Sequence, residues 1–395
     1  MTKYIFNQTG KDIYPTPLSW RRKIDEHWKL YRRREIIKKQ LDAAKGDKKD
    51  FSEVYNDIKT LIYKYDQRLR YIFPDYWNER MYLKGVSVHQ RVIWNEWDSW
   101  RKIIDSQDKE TFDIFYSKEK LCQHLFSHGI RCPHNIGTLM WNKEKDRAYI
   151  YNNGTQISLE EALEQHGGIF AKPDDACQGA GCMKIQKSNE GKGILINYQN
   201  TQSEKLKSIL KDDAFAVELL LTQHEDIAIF HPSSINTCRI VTMKAPGGDV
   251  IFHGSLLKIG TEGRSIDNLE NGGIGVKVYR DGSLAEHAIY IDSSVEPLSE
   301  HPDTHIVFKG RKIPYFAEAV ELAKKAHKAV APHTFIIGWD VSITPTGPLV
   351  IERNVHCAIY QPWFGDLRPV FNQYLKPIAQ EIIKGNTPLI HHEIK

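Results

Sequence analysis

The sequence predicts an α+β protein, in which antiparallel sheets with flanking helices follow a mainly helical, basic N-terminal region. Residues from about 18 to 72 are rich in helix-forming side chains and contain no proline. Beyond Ala148, short strand-like runs are separated by glycine-rich turns. Helices are predicted between those strands, near 158–165, 202–211 and 314–330. Hairpins mixed with helices in this way are typical of an α+β enzyme core.

Within the N-terminal region, residues 1–112, the stretch from about 18 to 72 is predicted to form two helices that separate at Gly46 and Asp47. Its aromatic side chains fall at helical spacing, and we expect them to pack in a core. They are Trp20, Trp28, Tyr31, Tyr63, Tyr65, Tyr71, Phe73, Tyr76 and Trp77. Trp94, Trp97 and Trp100 recur every third residue, so they roughly share one helix face. That face is predicted to dock the N-terminal region onto the rest of the protein.

Positive charge is concentrated at the N-terminus. The first fifty residues carry fourteen Lys and Arg against seven Asp and Glu, whereas the whole chain has a net charge of +4. A solvated helix face accounts for this excess; a weak contact with an anionic glycan, a phosphorylated carrier or a membrane surface is the alternative. No nucleic-acid recognition motif accompanies the charge, so no nucleic-acid partner is expected.

Composition excludes several other classes of protein. The sequence contains no run of about 18 apolar residues, so no membrane-spanning helix is expected. The N-terminal MTKYIFNQTGKDIYP lacks the apolar core of a signal peptide, so we expect an unprocessed, cytoplasmic protein. The six cysteines are scattered without a CxxC pair, which argues against a zinc ribbon or a disulfide framework.

The segment GGIFAKPDDACQGAGCMKI, residues 167–185, is the first that suggests chemistry. Further upstream, a helix is predicted to begin at Ser117 and to end at Gly129. A short apolar strand delivers Lys172, and a loop with Gly179 and Gly181 follows. A lysine beside a glycine-rich loop suits a polyphosphate, which needs a cation and accessible backbone N–H groups. An exposed hairpin with a flexible tip is the alternative.

A single carboxylate, Glu218, interrupts the apolar run from Ala214 to Leu221. Burying a carboxylate is costly unless it is paired or bound. Glu218 is therefore predicted to contact either a ligand amine or Lys172. The alternative is a strand end with Glu218 turned to solvent.

Residues 236–260, NTCRIVTMKAPGGDVIFHGSLLKIG, predict a hairpin with Gly247 and Gly248 in its turn. That register places Arg239 opposite Leu256 and Thr237 opposite Lys258. Arg239 and Lys258 would then be diagonal neighbours on one face. Because two adjacent cations repel each other, a shared anion would explain them; two solvated basic residues are the alternative.

Residues 335–354, FIIGWDVSITPTGPLVIERN, predict a second hairpin that carries acidic side chains. Glu352 and Asn354 lie two residues apart and share a face, and Asp340 lies across from Glu352. Two carboxylates and an amide converge there, and such oxygen ligands suit Mg²⁺. Without a cation, two close carboxylates are unfavourable. The loop Asn271-Gly272-Gly273 could also bring its backbone close to an anion or an acceptor.

Together these fragments resemble the ATP-grasp superfamily, and more narrowly its sugar-transfer-associated branch, which is often encoded with polysaccharide genes. The resemblance runs from about Ser117 to Asn372. It rests on the AKP strand with its glycine loop, VELL, HPSSINTCRI, NLENGGIG, GWDVSIT and IERN. It implies a two-lobed ATP-grasp core, with a first lobe over 113–220 that holds the glycine loop and a second over 221–395 that holds the metal site. Many ATP-grasp enzymes begin with a small α/β domain, and the helical N-terminal region here departs from that pattern.

The resemblance also implies a role for each candidate residue. The phosphates of ATP would be bound by Lys172 and by the loop residues Gln178, Gly179, Ala180 and Gly181. Adenine would be held at a hinge formed by Glu218, Leu219 and Leu221, and the ribose by His224 or Asp226. The transferring phosphoryl group would be stabilised by the catalytic residues Arg239 and Lys258. The acceptor would be lined by Asn236, Asn271, Gly272 and Gly273, and one or two Mg²⁺ ions would be held by Asp340, Glu352 and Asn354.

The expected activity is that of an ATP- and Mg²⁺-dependent ligase. A carboxylate is activated as an acyl phosphate and then joined to an amine as an amide. The resemblance implies an amino acid or simple amine and a sugar carboxylate in polysaccharide biosynthesis. Two alternatives remain open: an ATP-grasp enzyme that phosphorylates a group other than a carboxylate, and a non-catalytic nucleotide-binding module of a glycan assembly complex.

Overall fold

The fold is taken from a computed structural model of the 395-residue chain. The structure describes residues 17–105, 118–173, 181–188, 193–210, 213–245, 247–292, 294–332, 334–354 and 360–385. Three predicted phosphate-loop residues, Gln178, Gly179 and Ala180, lie outside these ranges.

The N-terminal region is helical, as predicted, but it has more helices than the two expected between residues 18 and 72. The helices are α1 (Trp20–Arg32), α2 (Arg34–Ala43), α3 (Phe51–Tyr63), α4 (Leu69–Asn78) and α5 (Trp94–Asp105). The break near Gly46 is confirmed, and further breaks fall at Arg33 and between Tyr63 and Leu69. Helix α3 starts at a capping box, in which Asp50 and Glu53 each accept the other's backbone N–H.

The prediction that all the N-terminal aromatics are core residues was wrong for helix α1. Tyr76 and Trp77 are buried, but Trp20, Trp28 and Tyr31 are exposed. Helix α1 packs through a different face, on which Leu30 and Glu26 are buried. Helical spacing groups side chains on one face, but it does not say which face the neighbouring helices cover.

The junction between the helical region and the core is aromatic, as predicted. Trp97 and Trp100 are buried in a cluster with Phe335 and Phe371, and Trp94 packs against its edge. The cluster also includes Val241 and Met243 and other apolar residues of the second sheet and the C-terminal helices. The helical region is therefore packed tightly onto the rest of the molecule.

The first lobe contains an eight-stranded antiparallel sheet in the order β3-β2-β1-β8-β4-β5-β6-β7. Its strands are β1 (Asn135–Asn142), β2 (Arg147–Asn152), β3 (Thr155–Ser158), β4 (Gly168–Pro173), β5 (Met183–Lys187), β6 (Ile194–Ile196), β7 (Gln199–Thr201) and β8 (Phe215–Leu219). Helices α6 (Lys118–Ser127), α7 (Leu159–His166) and α8 (Ser203–Leu210) accompany it. Strand β8 comes last in the chain but lies between β1 and β4, so Glu218 lies on a central strand.

The second lobe contains a six-stranded antiparallel sheet in the order β12-β11-β10-β9-β13-β14. Its strands are β9 (Cys238–Lys244), β10 (Val250–Ile259), β11 (Ile274–Val278), β12 (Leu284–Ile289), β13 (Ile336–Thr344) and β14 (Gly347–Asn354). The short helix α9 (Glu225–Ala228) precedes it, and α10 (Phe316–Val330) packs on it through Ala319, Ala323 and Ala326. Small side chains let this helix approach the sheet closely.

The described chain ends in α11 (Gln361–Phe364), α12 (Leu367–Val370), a π-helical turn (Phe371–Leu375) and α13 (Lys376–Ile383). These elements pack against α5 and the second sheet at the aromatic junction. None of the described helices has both the length and the apolar character needed to cross a membrane. Mixed helices and antiparallel sheets behind a helical N-terminal region confirm the predicted fold class.

Candidate active site

Lys172 and Glu218 form a buried ion pair on the first sheet. They lie on adjacent strands, and the Lys172 Nζ is 2.6 Å from the Glu218 Oε2. Burial by itself opposes the charged amine, but Glu218, and more weakly Glu352, outweigh burial and raise the pKa of Lys172. One of the two alternatives predicted for Glu218, a contact with Lys172, is therefore confirmed.

The electrostatic effect of Glu352 on the pKa of Lys172 indicates that this carboxylate of the second sheet lies in the neighbourhood of the ion pair. Lys172 belongs to β4 of the first sheet, whereas Glu352 belongs to β14 of the second. The loop after β4 leaves from Pro173 and returns at Gly181. A Cβ on Gly181 would lie 2.9 Å from the Pro173 ring, and Gly181 has a φ of +72°, so this close return favours glycine.

The hairpin of β9 and β10 has the predicted register at the site, although its turn differs from the prediction. The Ala245 N–H donates to the Asp249 carbonyl, so one more residue than expected lies in the turn. A β-bulge between Phe252 and Gly254 then shifts the register by one. Beyond the bulge Arg239 lies opposite Leu256, as predicted.

The anion shared by Arg239 and Lys258 is Asp340 of the protein itself. Strand β13 pairs with β9 and places Asp340 directly across from Arg239. The Arg239 Nη2 and the Lys258 Nζ are each 3.0 Å from the Asp340 Oδ2, and the Arg239 Nε donates to Oδ1. Burial would raise the pKa of Asp340, but Arg239 and Lys258 outweigh burial and hold that pKa well below its usual range.

Asp267 is a member of this cluster that sequence reasoning missed. Its Oδ1 is 3.4 Å from the Lys258 Nζ, and its Oδ2 accepts from the Thr237 backbone N–H at 2.9 Å. Burial opposes the charged amine, but Asp267 and Asp340 outweigh it and raise the pKa of Lys258. Asp267 lies in an irregular segment between β10 and β11, where no strand periodicity indicates which way a side chain points.

The residues predicted to bind metal converge at the edge of this cluster. Asp340 pairs with Glu352 across β13 and β14, and the Asn354 Nδ2 is 3.4 Å from the Asp340 Oδ2. No group of three or more His, Cys, Asp or Glu side chains suited to a metal ion occurs among the described residues. A metal here would thus be held by two carboxylates, by the Asn354 amide after it rotates to present Oδ1, and by oxygens of a ligand. This donor set fits Mg²⁺, which commonly shares its coordination shell with phosphate.

The predicted hinge lies where the chain passes from one sheet to the other. Strand β8 ends at Leu219, and Leu221 is partly exposed in the connecting segment. His224 is attached to the second sheet, since its backbone N–H donates to the carbonyl of Ile343 of β13 at 2.8 Å. His224 also caps α9 by accepting from the Asp226 N–H at 3.2 Å, while the Asp226 side chain is exposed. The roles predicted for Leu219, Leu221, His224 and Asp226 in binding the nucleoside stay predictions.

The structure argues against a direct substrate contact for Asn236. Its side chain is buried, and its Nδ2 donates to the Ile227 and His231 carbonyls. Its Oδ1 accepts from the Ser234 hydroxyl and the Gly260 N–H. All four hydrogen-bonding positions of the amide are filled within the protein, so Asn236 holds the loop in shape and has none left for a substrate.

The loop Asn271-Gly272-Gly273 forms a tight turn after a short 3₁₀ segment. Gly272 has a φ of +90°, and its carbonyl accepts from the Thr261 hydroxyl at 2.8 Å. The Gly273 N–H donates to the Asn268 carbonyl at 3.0 Å. These bonds shape the turn, and an acceptor contact at this loop stays a prediction.

The solved structures that resemble this chain have low sequence identity to it. A carboxyaminoimidazole ribonucleotide synthase from Aspergillus clavatus is 14% identical, with a TM-score of 0.36 over 62% of this chain and 45% of the other. An L-amino acid ligase from Bacillus licheniformis is 11% identical, with a TM-score of 0.36 over 69% and 49%. A biotin carboxylase from Campylobacter jejuni is 10% identical, with a TM-score of 0.39 over 72% and 48%. This chain spans about half the length of these proteins.

A search of curated proteins found no significant sequence match. The family described as sugar-transfer associated ATP-grasp matches residues 103–361, about two thirds of the chain. The match includes both sheets and every residue of the ionic cluster described above. The chain belongs to the sugar-transfer associated ATP-grasp family.

Proposed function

We propose that the protein is an ATP- and Mg²⁺-dependent ligase that activates a carboxylate as an acyl phosphate and joins it to an amine. The observation that carries this proposal is a largely buried set of charged side chains contributed by both sheets. Three cations face four carboxylates there: Lys172, Arg239 and Lys258 against Glu218, Asp267, Asp340 and Glu352. Burying so many charges is costly, and such clusters are common where proteins bind charged ligands.

The cluster suits a polyphosphate that arrives with its metal. In the described state the three cations are neutralised by the protein's own carboxylates. Mg²⁺, when bound, would neutralise charge on the phosphates, and Asp340, Glu352 and Asn354 are the residues suited to hold it. Arg239 and Lys258, which lie beside Asp340, are the cations suited to bind the γ-phosphate, and Lys172 is suited to bind the phosphates from the first sheet.

Two steps complete the reaction. An oxygen of the substrate carboxylate attacks the γ-phosphorus of ATP, and the bond to the β–γ bridging oxygen breaks to release ADP. Arg239 and Lys258 stabilise the negative charge on the transferring group. The amine then attacks the acyl carbon, inorganic phosphate leaves, and the amine loses a proton to give an amide.

The proposed substrates are an amino acid or simple amine and a sugar carboxylate, free or part of a glycan, in polysaccharide biosynthesis. The description of the family as sugar-transfer associated supports the sugar.

The experiment that tests the proposal measures Mg²⁺-dependent ADP release with pooled uronic acids and pooled amino acids, each alone and then combined. Release only with both pools supports the ligase, and splitting the pools identifies the substrates. ADP release with a lasting phosphorylated product from one pool would contradict it in favour of phosphoryl transfer. ATP binding without release from any pool, including glycan-linked acids, would favour the nucleotide-binding module.

A further inference from the structure

Helix α1 exposes a row of large apolar side chains, which we call the aromatic stripe. Trp20, Ile24, Trp28 and Tyr31 are 69%, 39%, 59% and 44% exposed. Their spacing of four, four and three residues places them along one side of the helix. Apolar side chains exposed in such a continuous row differ from the isolated ones found on most surfaces.

The stripe makes a contact with the rest of the protein between the rings of Trp20 and Tyr63, whose centroids are 5.9 Å apart, but α1 is attached mainly through another face. Leu30 and Glu26 on another face are buried, and the Glu26 Oε2 accepts from the Leu69 backbone N–H at 2.8 Å. From the same side, the Lys23 Nζ donates to the Tyr63 carbonyl at 2.8 Å and pairs with Asp66 at 2.6 Å. The helix is therefore anchored whether or not anything covers the stripe.

Basic side chains lie along one flank of the stripe. Residues 20–39 contain nine Lys and Arg against three Asp and Glu. Arg21 and Arg32 are exposed and, by helical geometry, lie on the sector next to the stripe. The Arg34 guanidinium carbon lies 3.6 Å from the centre of the Tyr31 ring. Exposed Trp and Tyr beside a cluster of Lys and Arg are typical of helices that lie in the interface of an anionic membrane.

We propose that the aromatic stripe and its basic flank bind the surface of an anionic lipid bilayer, with α1 lying in the plane of the headgroups. A soluble anionic glycan would satisfy the arginines and stack a sugar ring on a tryptophan, but it offers no apolar surroundings to Ile24 or to the stripe as a whole. A lipid interface suits both the apolar and the basic side chains, because the aromatic rings enter the headgroup layer while the basic side chains contact anionic phosphates. This proposal does not depend on the ligase activity.

The test is co-sedimentation of the full chain with phosphatidylcholine vesicles and with vesicles that also contain phosphatidylglycerol. We expect binding only to the anionic vesicles, weakening as salt is added. The double substitution Trp20→Ser and Trp28→Ser should weaken binding by roughly tenfold or more, because the apolar contribution is lost. Arg21→Gln should weaken it by about fivefold, the contribution of one basic residue near an anionic surface. Phe126→Ser is the matched control, because Phe126 is 78% exposed on α6 and should not affect binding.

Tryptophan emission separates the other possible occupants. Bilayer binding predicts that anionic vesicles shift the emission to shorter wavelength, and that the double variant loses most of this shift. If residues 1–16 occupied the stripe instead, adding vesicles would leave the emission of the wild-type protein unchanged. If a second copy of the chain occupied the stripe, the wild-type protein would be a dimer and the double variant would be a monomer. Either result, or equal vesicle binding by wild type and double variant, would overturn the proposal.

Discussion

At the scale of single residues, the site depends on carboxylates whose partners come from distant parts of the chain. Asp340 is bound by Arg239 and Lys258, and Glu218 by Lys172. These pairs balance charge inside the folded protein, so a substitution can affect stability and ligand binding together. Glu352 is partly exposed, which makes it the better position for separating these two effects.

We predict that Glu352→Gln abolishes turnover while the fold stays intact, because the amide binds Mg²⁺ much more weakly than a carboxylate. ADP release should fall by about 100-fold or more and recover in part at high Mg²⁺. Glu286→Gln, at an exposed position of the edge strand β12, is the control and should have wild-type activity. Full activity of Glu352→Gln, with an unchanged melting temperature, would remove the metal assignment.

Lys172→Ala should mainly weaken ATP binding, because a charge-assisted bond to phosphate is lost. The expected loss is about tenfold to 100-fold in Kd, measured by calorimetry with ATP and Mg²⁺. The variant also leaves Glu218 buried without its cation, so Lys172→Met with Glu218→Gln is the second variant to measure. If both variants bind ATP as tightly as wild type, the phosphate site lies elsewhere.

At the scale of elements, the junction between the helical region and the core contains a carboxyl group that is only partly exposed. Glu79 follows the last residue of α4, and its Oε2 accepts from the Gln361 N–H at the start of α11, at 2.7 Å. Burial raises the pKa of Glu79 to about 8 from an ordinary value of 4.5, although Gln361 and Arg91 oppose the shift. The folded protein therefore keeps this group neutral over a range in which the unfolded chain ionises it.

The sign of the resulting pH dependence follows from linkage. Because folding raises the pKa, this group binds fewer protons in the unfolded chain than in the folded protein between about pH 4.5 and about pH 8. The free energy of unfolding that the group contributes therefore falls as the pH rises through that range. We predict that Glu79→Gln unfolds like wild type near about pH 4.5 and is more stable near about pH 8. Urea denaturation at both pH values measures this, and equal stability near about pH 8 would contradict it.

At the scale of the whole molecule, the helical region and the second lobe share one apolar cluster. Trp97 is 0% exposed and its ring centroid is 6.3 Å from that of Phe335. The same cluster contains Phe371 and Leu375 near the C-terminal end of the described chain. Helices from both ends of the sequence thus support the sheet that carries Asp340.

Two tryptophans of the helical region should therefore respond differently to substitution. Trp97→Ala should lower the free energy of unfolding by about 3 to 5 kcal/mol, because it opens a cavity at the junction. Trp20→Ala should change it by less than about 0.5 kcal/mol, since Trp20 lies on the surface. Urea denaturation of both variants checks this, and similar values for the two would contradict the assignment of core and surface.

The sequence by itself determined the fold class, most of the elements beyond Lys118 and the local pairing at the site. Asp340 opposite Glu352, and Arg239 opposite Leu256, follow from two hairpins. Hairpin register is set by a short turn and by the two-residue repeat of strands, both of which are written in adjacent residues. In both hairpins the predicted register holds at the site together with a β-bulge, between Phe252 and Gly254 in the first and beside Asp340 in the second.

Only the tertiary structure decided which charges meet and which aromatics stay outside. Strand β9 lies beside β13, far away in sequence, and this placement alone puts Asp340 against Arg239. Asp267 comes from a loop without periodicity, and the exposure of Trp20 and Trp28 depends on which side of α1 the neighbouring helices cover. These are contacts between segments separated by many residues, and no local pattern encodes them. Periodicity shows which side chains point the same way, whereas packing determines what they point at.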